Sequence, residues 1–397
     1  MPEESMKKLT RRNVIKSVGA AGISAGLFTG TASAATSSPH TEAIWNLMRD
    51  YNIPGLSCTI NTDWYGSRST ADRIHLGKIY ADPRSETEVD SSHRFRIGSI
   101  SKTLTSAAVL TLVENGSISL GDPVFGDTFS ENGPPIFNSK YPLATHSYQP
   151  LFENITVENL LSMTSGFEFG SDYPVYDGTK GMTQDEVITE ILNEHTVEYT
   201  PGSRYEYQNF CYLVLGQLIE EVTNRSYADY VQQTVLEPVG ATGMQIGGDS
   251  KTDRINNEVF YHSDRPVYGD DARLEFRDAH GGWVGSPTEV LRIVDDIAYL
   301  YKDGGHYETG SEILATSTAE DALEIRKDPY ALGWVSYDSA MGHNGRSRGA
   351  WSSVRCRDDR YSFCVMANHD NTAPRNKILN HIDNYIDDEV KDDSNRT

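Results

Sequence analysis

Lysine is scarce in this sequence: 12 residues of 397, with 35 Lys plus Arg against 57 Asp plus Glu and a formal net charge of −22. A surface so acidic repels nucleic acid and anionic membranes, which excludes both as partners. Cysteine is nearly absent, with four residues in all and no Cys-x-x-Cys pair. No His-Glu-x-x-His run occurs among the 11 histidines, so neither a metal nor a cofactor has sequence support. Long apolar runs are missing. The best one, Val18 to Gly30, is too short and too rich in glycine to span a membrane, so stable membrane insertion is not expected. Internal repeats are absent.

What is present begins with 38% hydrophobic and 10% aromatic residues, enough for the core of one large two-lobed domain. The weak apolar run is preceded by Lys7, Lys8, Arg11, Arg12 and Lys16 and followed by Ala32-Ser33-Ala34. That is the layout of an export signal over residues 1–34. The Arg11-Arg12 pair followed by Val14-Ile15-Lys16 resembles a twin-arginine signal, a route that secretes folded proteins. Residues 35–387 then form the globular domain and residues 388–397 a solvated acidic tail. Outside the cell, Cys356 and Cys364 either bridge across two strands or sit buried as small apolar side chains.

Ile44, Leu47, Met48 and Tyr51 recur at helical spacing, which predicts a helix from Pro39 to Tyr51. Residues 55–60 and 74–80 alternate as a hairpin. Helices are expected over 101–115, 156–163, 183–194, 212–235 and 287–301, strands over 331–336, 350–356 and 361–367, and a closing helix over 375–386. The aromatic and Pro-rich stretch 125–152 reads as a surface excursion near a cleft or as an inert loop. Strands at both ends with helices between them imply an α+β fold. Its antiparallel sheet lobe spans about 38–95 and 285–387, its inserted helical lobe about 96–284, and a cleft lies at their junction.

The chemistry is expected around Phe95-Arg96-Ile97-Gly98-Ser99-Ile100-Ser101-Lys102. A serine hydroxyl is a poor nucleophile until a base takes its proton, and Lys102 stands one helical turn beyond Ser99. A helix N-terminus there also favours a developing oxyanion. By itself Ser-x-x-Lys is weak, since Ser5-Met6-Lys7-Lys8 is a second copy. Tyr207 and Asn209, two residues apart, face one way in extended backbone, and a cation such as Lys102 would lower the pKa of the phenol enough for it to relay a proton. His343-Asn344-Gly345-Arg346 opens a strand-like stretch in which Gly345 leaves backbone accessible to substrate.

The order Ser99-x-x-Lys102, Tyr207-x-Asn209, His343-x-Gly345 resembles the penicillin-recognising serine hydrolases, in the branch of class C β-lactamases, D-alanyl-D-alanine carboxypeptidases, D-aminopeptidases and related esterases. Phe95-Arg-Ile-Gly98, Leu120-Gly-Asp-Pro-Val124, Leu160 to Gly166, Gly281-Gly282 and Leu332-Gly-Trp334 match as well, so the likeness covers about residues 40–385. The resemblance implies a β-lactamase/transpeptidase-like fold and cleavage of an amide or ester in a small-molecule or peptide substrate through an acyl-Ser99 intermediate. Lys102 and Tyr207 would move the proton, and the N–H groups of Ser99 and Arg346 would form an oxyanion hole worth about 3–4 kcal/mol per donor. Asn209 would hold Lys102 and a substrate amide. His343 replaces the usual Lys of the third motif, and Arg346 would restore a carboxylate clamp. Met163 stands where the family often has His, a position read as structural. The alternative is a catalytically idle relative that binds peptides or cell-envelope components in the same cleft.

The acidic surface also fits adaptation to high salt, where self-repulsion is screened. On that reading the urea midpoint is higher in molar KCl than in dilute buffer. Equal midpoints would refute it.

Overall fold

The computed structural model describes residues 38–61, 71–79, 87–126, 134–138, 140–141, 151–170, 181–269, 272–302 and 313–391. The expected export signal and residues 392–397 lie outside them. Helix α1 (Pro39–Asp50) starts at a capping box in which Ser38 and Thr41 exchange side-chain and backbone hydrogen bonds, with Pro39 opening the first turn. Ile44 and Met48 carry its buried face. Strand β1 (Gly55–Asn61) pairs antiparallel with β2 (Ala71–Gly77), placing Leu56 opposite Leu76. Beyond β2 the strand expected to reach Tyr80 is cut short. Gly77 turns the chain at φ +78, and the Lys78 N–H donates to Pro54 O.

The chain then runs through β3 (Phe95–Arg96), a tight 3-10 turn over Gly98–Ile100, and α2 (Ser101–Glu114). Around α2 gather α3 (Val157–Leu161), α4 (Gln184–Glu194), α5 (Asn209–Thr223) and α6 (Tyr227–Val231). Strands β4 (Gln245–Ile246) and β5 (Trp283–Gly285) join β3 in a small sheet ordered β3-β5-β4. After α7 (Pro287–Lys302) and α8 (Thr316–Leu323) come β6 (Val335–Tyr337), β7 (Ala340–Ser347), β8 (Ala350–Arg357) and β9 (Ser362–Ala367), and then α9 (Arg375–Tyr385). The six-stranded sheet has the order β2-β1-β9-β8-β7-β6, so both ends of the sequence meet where β1 pairs with β9. This is the expected α+β architecture. Helices α1 and α9 cover one face through Ile44, Met48, Ile378 and Ile382 against Phe363 and Val365.

Helix α2 is buried from Ser101 through Leu110, and its hydroxyls are satisfied internally. Thr105 donates to Ala279 O at 2.6 Å and Ser106 to Leu332 O at 2.6 Å. A helix sunk this deeply fixes the position of whatever stands at its N-terminus.

Several expectations need correction. The strand predicted over 331–336 begins only at Val335, because Gly333 at φ +84 lies against Ser106 of α2 and turns residues 330–334 out of the ladder. Among the described residues of 125–152, Phe125, Phe137, Tyr141 and Phe152 are buried, with Phe137 and Tyr141 meeting edge to face at 4.9 Å. These four side chains belong to the core of the helical side rather than to a surface excursion, and residues 127–133, 139 and 142–150 lie outside the described residues. Of the two alternatives for the cysteines the buried one holds: Cys356 lies opposite Ser362 and Cys364 opposite Val354, and all four are buried outside any disulfide. The chain stays helical through Val390, where Lys391 pairs with Asp359 and Asp387.

Strand β7 approaches the turn before α2 very closely. A Cβ on Gly345 would collide with Ile97 O and Ser352 Oγ, and one on Gly98, itself at φ +53, would stand 2.5 Å from Arg346 N. Ser352 Oγ donates to Ile97 O at 2.7 Å across the same contact. Gly345→Ala is therefore expected to lower stability by about 1–3 kcal/mol, whereas Gly121→Ala, with open space around the site, leaves it near wild type. Urea unfolding of both variants checks this.

Candidate active site

Ser99 is the middle residue of the 3-10 turn and is half-buried, while Lys102 in the first turn of α2 is fully buried. Lys102 Nζ lies 3.2 Å from Ser99 Oγ, 2.7 Å from Asn209 Oδ1 and 2.8 Å from His280 O. Burial drives its pKa well below the ordinary lysine value, and the Arg277 guanidinium adds to that fall. Two of the three neighbours, the His280 carbonyl and the Asn209 amide oxygen, accept hydrogen bonds. With two N–H groups committed to them, a neutral amine directs its lone pair at Ser99 Oγ.

Tyr207 comes from the extended segment before α5, and Asn209 opens that helix. The Tyr207 hydroxyl is hydrogen-bonded to Ser99, yet burial dominates and raises the phenol pKa. Lys102 Nζ stands 5.0 Å from the centre of the Tyr207 ring, so the expectation that the lysine would depress the phenol pKa is not met. Met163 explains how this segment is held. At φ +57 it offers its carbonyl to Glu206 N–H at 2.9 Å and its sulfur to Gln208 N–H at 3.4 Å. Its role is structural, as read from the sequence.

His343 lies within β7, is 3% exposed, and has its pKa pushed down to about 3 by burial, with Lys102 contributing. Its Nδ1 is 2.7 Å from Asn344 O, which can only accept, so Nδ1 carries the proton and Nε2 accepts from the Tyr330 hydroxyl at 3.2 Å. Burial and this hydrogen-bond pattern thus favour a neutral imidazole in the third motif. Strand pairing sets Asn344 and Arg346 on the face shared with Ser353 and Trp351, while Gly345 faces Ser352 and the Ile97 turn. Asn344 Oδ1 is engaged by Ser353 Oγ at 2.6 Å and Arg355 Nη2 at 2.9 Å. Arg346 presents its side chain to solvent and its backbone N–H beside Gly98.

Ser99, Lys102, Tyr207, Asn209, His343, Gly345 and Arg346 therefore converge on one cleft. Sequence reasoning missed Arg277 and Tyr330. Nothing around Arg277 marks it, because it acts through space on Lys102. Tyr330 directly precedes the matched segment ending in Trp334, a position that could have drawn notice. Among the described residues no group of His, Cys, Asp or Glu is arranged to hold a metal, and no helix is long and apolar enough to cross a membrane.

A family model described as Beta-lactamase matches residues 41–386. Protein flp of Staphylococcus aureus is 28% identical over 323 residues, 79% of this chain and 60% of that protein, so the chain spans about three fifths of this curated relative. Among solved structures, the octameric penicillin-binding protein homologue from Pyrococcus abyssi is similar at TM-score 0.65 and 22% identity, covering 83% of this chain and 73% of that one. A D-stereospecific amidohydrolase from Streptomyces sp. is similar at TM-score 0.64 and 19% identity, covering 86% of this chain and 96% of that one. The matched span runs from α1 to the end of α9 and takes in every motif of the cleft, so the chain belongs to the beta-lactamase family of serine hydrolases.

Proposed function

We propose that this protein hydrolyses an amide or ester bond through an acyl-Ser99 intermediate, with Lys102 as the base of acylation. The observation that carries the reading is the 3.2 Å contact between Ser99 Oγ and a fully buried Lys102 whose ammonium form is disfavoured. A neutral amine removes the Ser99 proton as the hydroxyl attacks the carbonyl carbon. The resulting oxyanion is met by the N–H groups of Ser99 and Arg346. Tyr207, kept as a phenol by burial, hands a proton to the leaving nitrogen or oxygen and is recharged from Lys102. Asn209 holds Lys102 through its amide oxygen. Water then attacks the acyl carbon while the neutral Lys102 amine takes its proton, and that proton passes to Ser99 Oγ as the acyl–oxygen bond breaks. The order of motifs is that of the class C-like branch, and the twin-arginine-like segment supports secretion.

The substrate class follows from charge. His343 supplies none, but Arg346 is exposed one residue beyond Gly345, and Arg375 lies close enough that Arg346 opposes its charged form. Arg355, stacked 3.5 Å over the Tyr337 ring, adds a third guanidinium nearby. In a chain so rich in carboxylates, three cations beside the third motif favour a substrate that brings a carboxylate of its own.

Two experiments test the reading. A fluorescent acyl-phosphonate probe should label wild type and leave Ser99→Ala unlabelled. A labelled Ser99→Ala would refute Ser99 as the nucleophile, and an unlabelled wild type that still binds peptide would replace the hydrolase with the idle relative. Across a panel of p-nitrophenyl esters and D-amino-acid peptides, Arg346→Ala should raise KM about tenfold for carboxylate substrates, the scale of a lost charge-assisted hydrogen bond, and spare neutral esters. Equal effects on both would remove the carboxylate clamp.

A further inference from the structure

Arg96 is an unusual residue to find where it is. It is 1% exposed, lies in β3 three residues before Ser99, and takes no part in the chemistry above. Its Nη1 donates to two carbonyls at once, Val267 O at 2.6 Å and Arg348 O at 2.9 Å. The guanidinium carbon stands 4.2 Å from the Tyr261 ring centre and 5.0 Å from that of Tyr268. Its backbone N–H donates to the Tyr261 hydroxyl, which in turn donates to buried Glu258 at 2.6 Å. Its Nε and Nη2 have no hydrogen-bond partner. Burying a cation this way costs free energy that two ring faces and a neighbouring carboxylate only partly offset.

The carbonyls it holds suggest what the cost secures. Arg348 lies in the turn between β7 and β8, two residues beyond Arg346, and the adjacent Gly349, at φ +75, presses directly on Tyr261 and Val267. One donor of the oxyanion hole, the Ser99 N–H, hangs on the segment that begins at Arg96. The other, the Arg346 N–H, hangs on the strand that ends at Arg348. Their separation depends on how β7 seats against the turn, because no hydrogen-bond ladder joins the two segments. We propose that Arg96 is a positioning residue for the oxyanion hole: a buried strut that locks the β7–β8 turn to the Ser99 segment and so sets the spacing of the two N–H donors. The inference rests on the acyl-serine reading above. Lysine does not reproduce it, since an ammonium lacks the planar guanidinium that lies against the Tyr261 and Tyr268 rings while Nη1 holds two carbonyls.

A strut of this kind has a signature that mere core packing lacks. An oxyanion hole acts on the tetrahedral state and not on the bound substrate. In Arg96→Lys, kcat on a p-nitrophenyl ester should fall about 10- to 100-fold, short of the 10²–10³ for outright loss of one donor, with KM unchanged. Affinity for a boronic-acid analogue of the tetrahedral state should fall in parallel, while stoichiometric phosphonate labelling at Ser99 is retained. Arg94→Lys is the control. It disturbs the neighbouring bidentate pair with Glu289, whose contacts are at 3.0 and 2.9 Å, and should cost stability without touching kcat. If Arg96→Lys fails to fold, Tyr268→Leu, which removes one stacking ring, should show the same pattern to a lesser degree. An unchanged kcat and boronate affinity in the folded variant, or equal kcat losses in Arg94→Lys and Arg96→Lys, would overturn the strut. Absence of labelling in wild type would instead remove the acyl-serine reading beneath it.

Discussion

The architecture turns on one close contact, the seating of β7 against the turn that precedes α2. Two backbones meet there with no side chain between them, which is possible because Gly98 and Gly345 each give up a Cβ at the same place. Ser352 closes the contact by donating to Ile97 O. Everything needed for an acyl transfer depends on it, because Ser99 and Lys102 belong to one side and Arg346 and His343 to the other. Backbone packed on backbone has little freedom to slide, so the contact sets distances that flexible side chains could not hold.

Around that contact the site is tuned by desolvation rather than by paired charges. Lys102, His343 and His280 are all buried, and in each the uncharged form is favoured. They reinforce one another, since each disfavours charge on its neighbours, with Arg277 adding to the field. The neutral His343, locked between Asn344 O and the Tyr330 hydroxyl, serves as a wall of fixed hydrogen-bond polarity, not as an ion. Of the arginines near β7, Arg346 is exposed and Arg355 is buried against Asn344, and both Arg355 and Arg375 add to the field that keeps His343 uncharged.

How much of this was legible in the sequence varied with the range of the interaction responsible. Helices α1, α4, α7 and α9 fall where apolar periodicity puts them, because an amphipathic face is a local property, and α2, buried on all sides, was legible as a run of good helix formers. The strand ends were less legible. Gly77 and Gly333 stop or displace strands through positive-φ turns whose need appears only when Pro54 or Ser106 is packed alongside. The insert around Phe125 and Phe137 looked like surface because no periodicity organises it. Its described aromatic residues are buried because rings from scattered positions, Phe125, Phe137 and Tyr141, pack on one another.

The sequence by itself determined which groups could do chemistry: a hydroxyl, an amine and a phenol in ordered motifs, with glycines where backbone must come close. Residue type and spacing are enough for that, since a one-turn offset on a helix and a two-residue alternation on a strand are fixed by covalent geometry. Only the tertiary structure decided the protonation states, the side of β7 on which Arg346 projects, and the presence of Arg96, Arg277 and Tyr330 around the site. Those depend on dielectric, strand register and contacts between residues far apart in the chain, and none of these is a property of a local stretch.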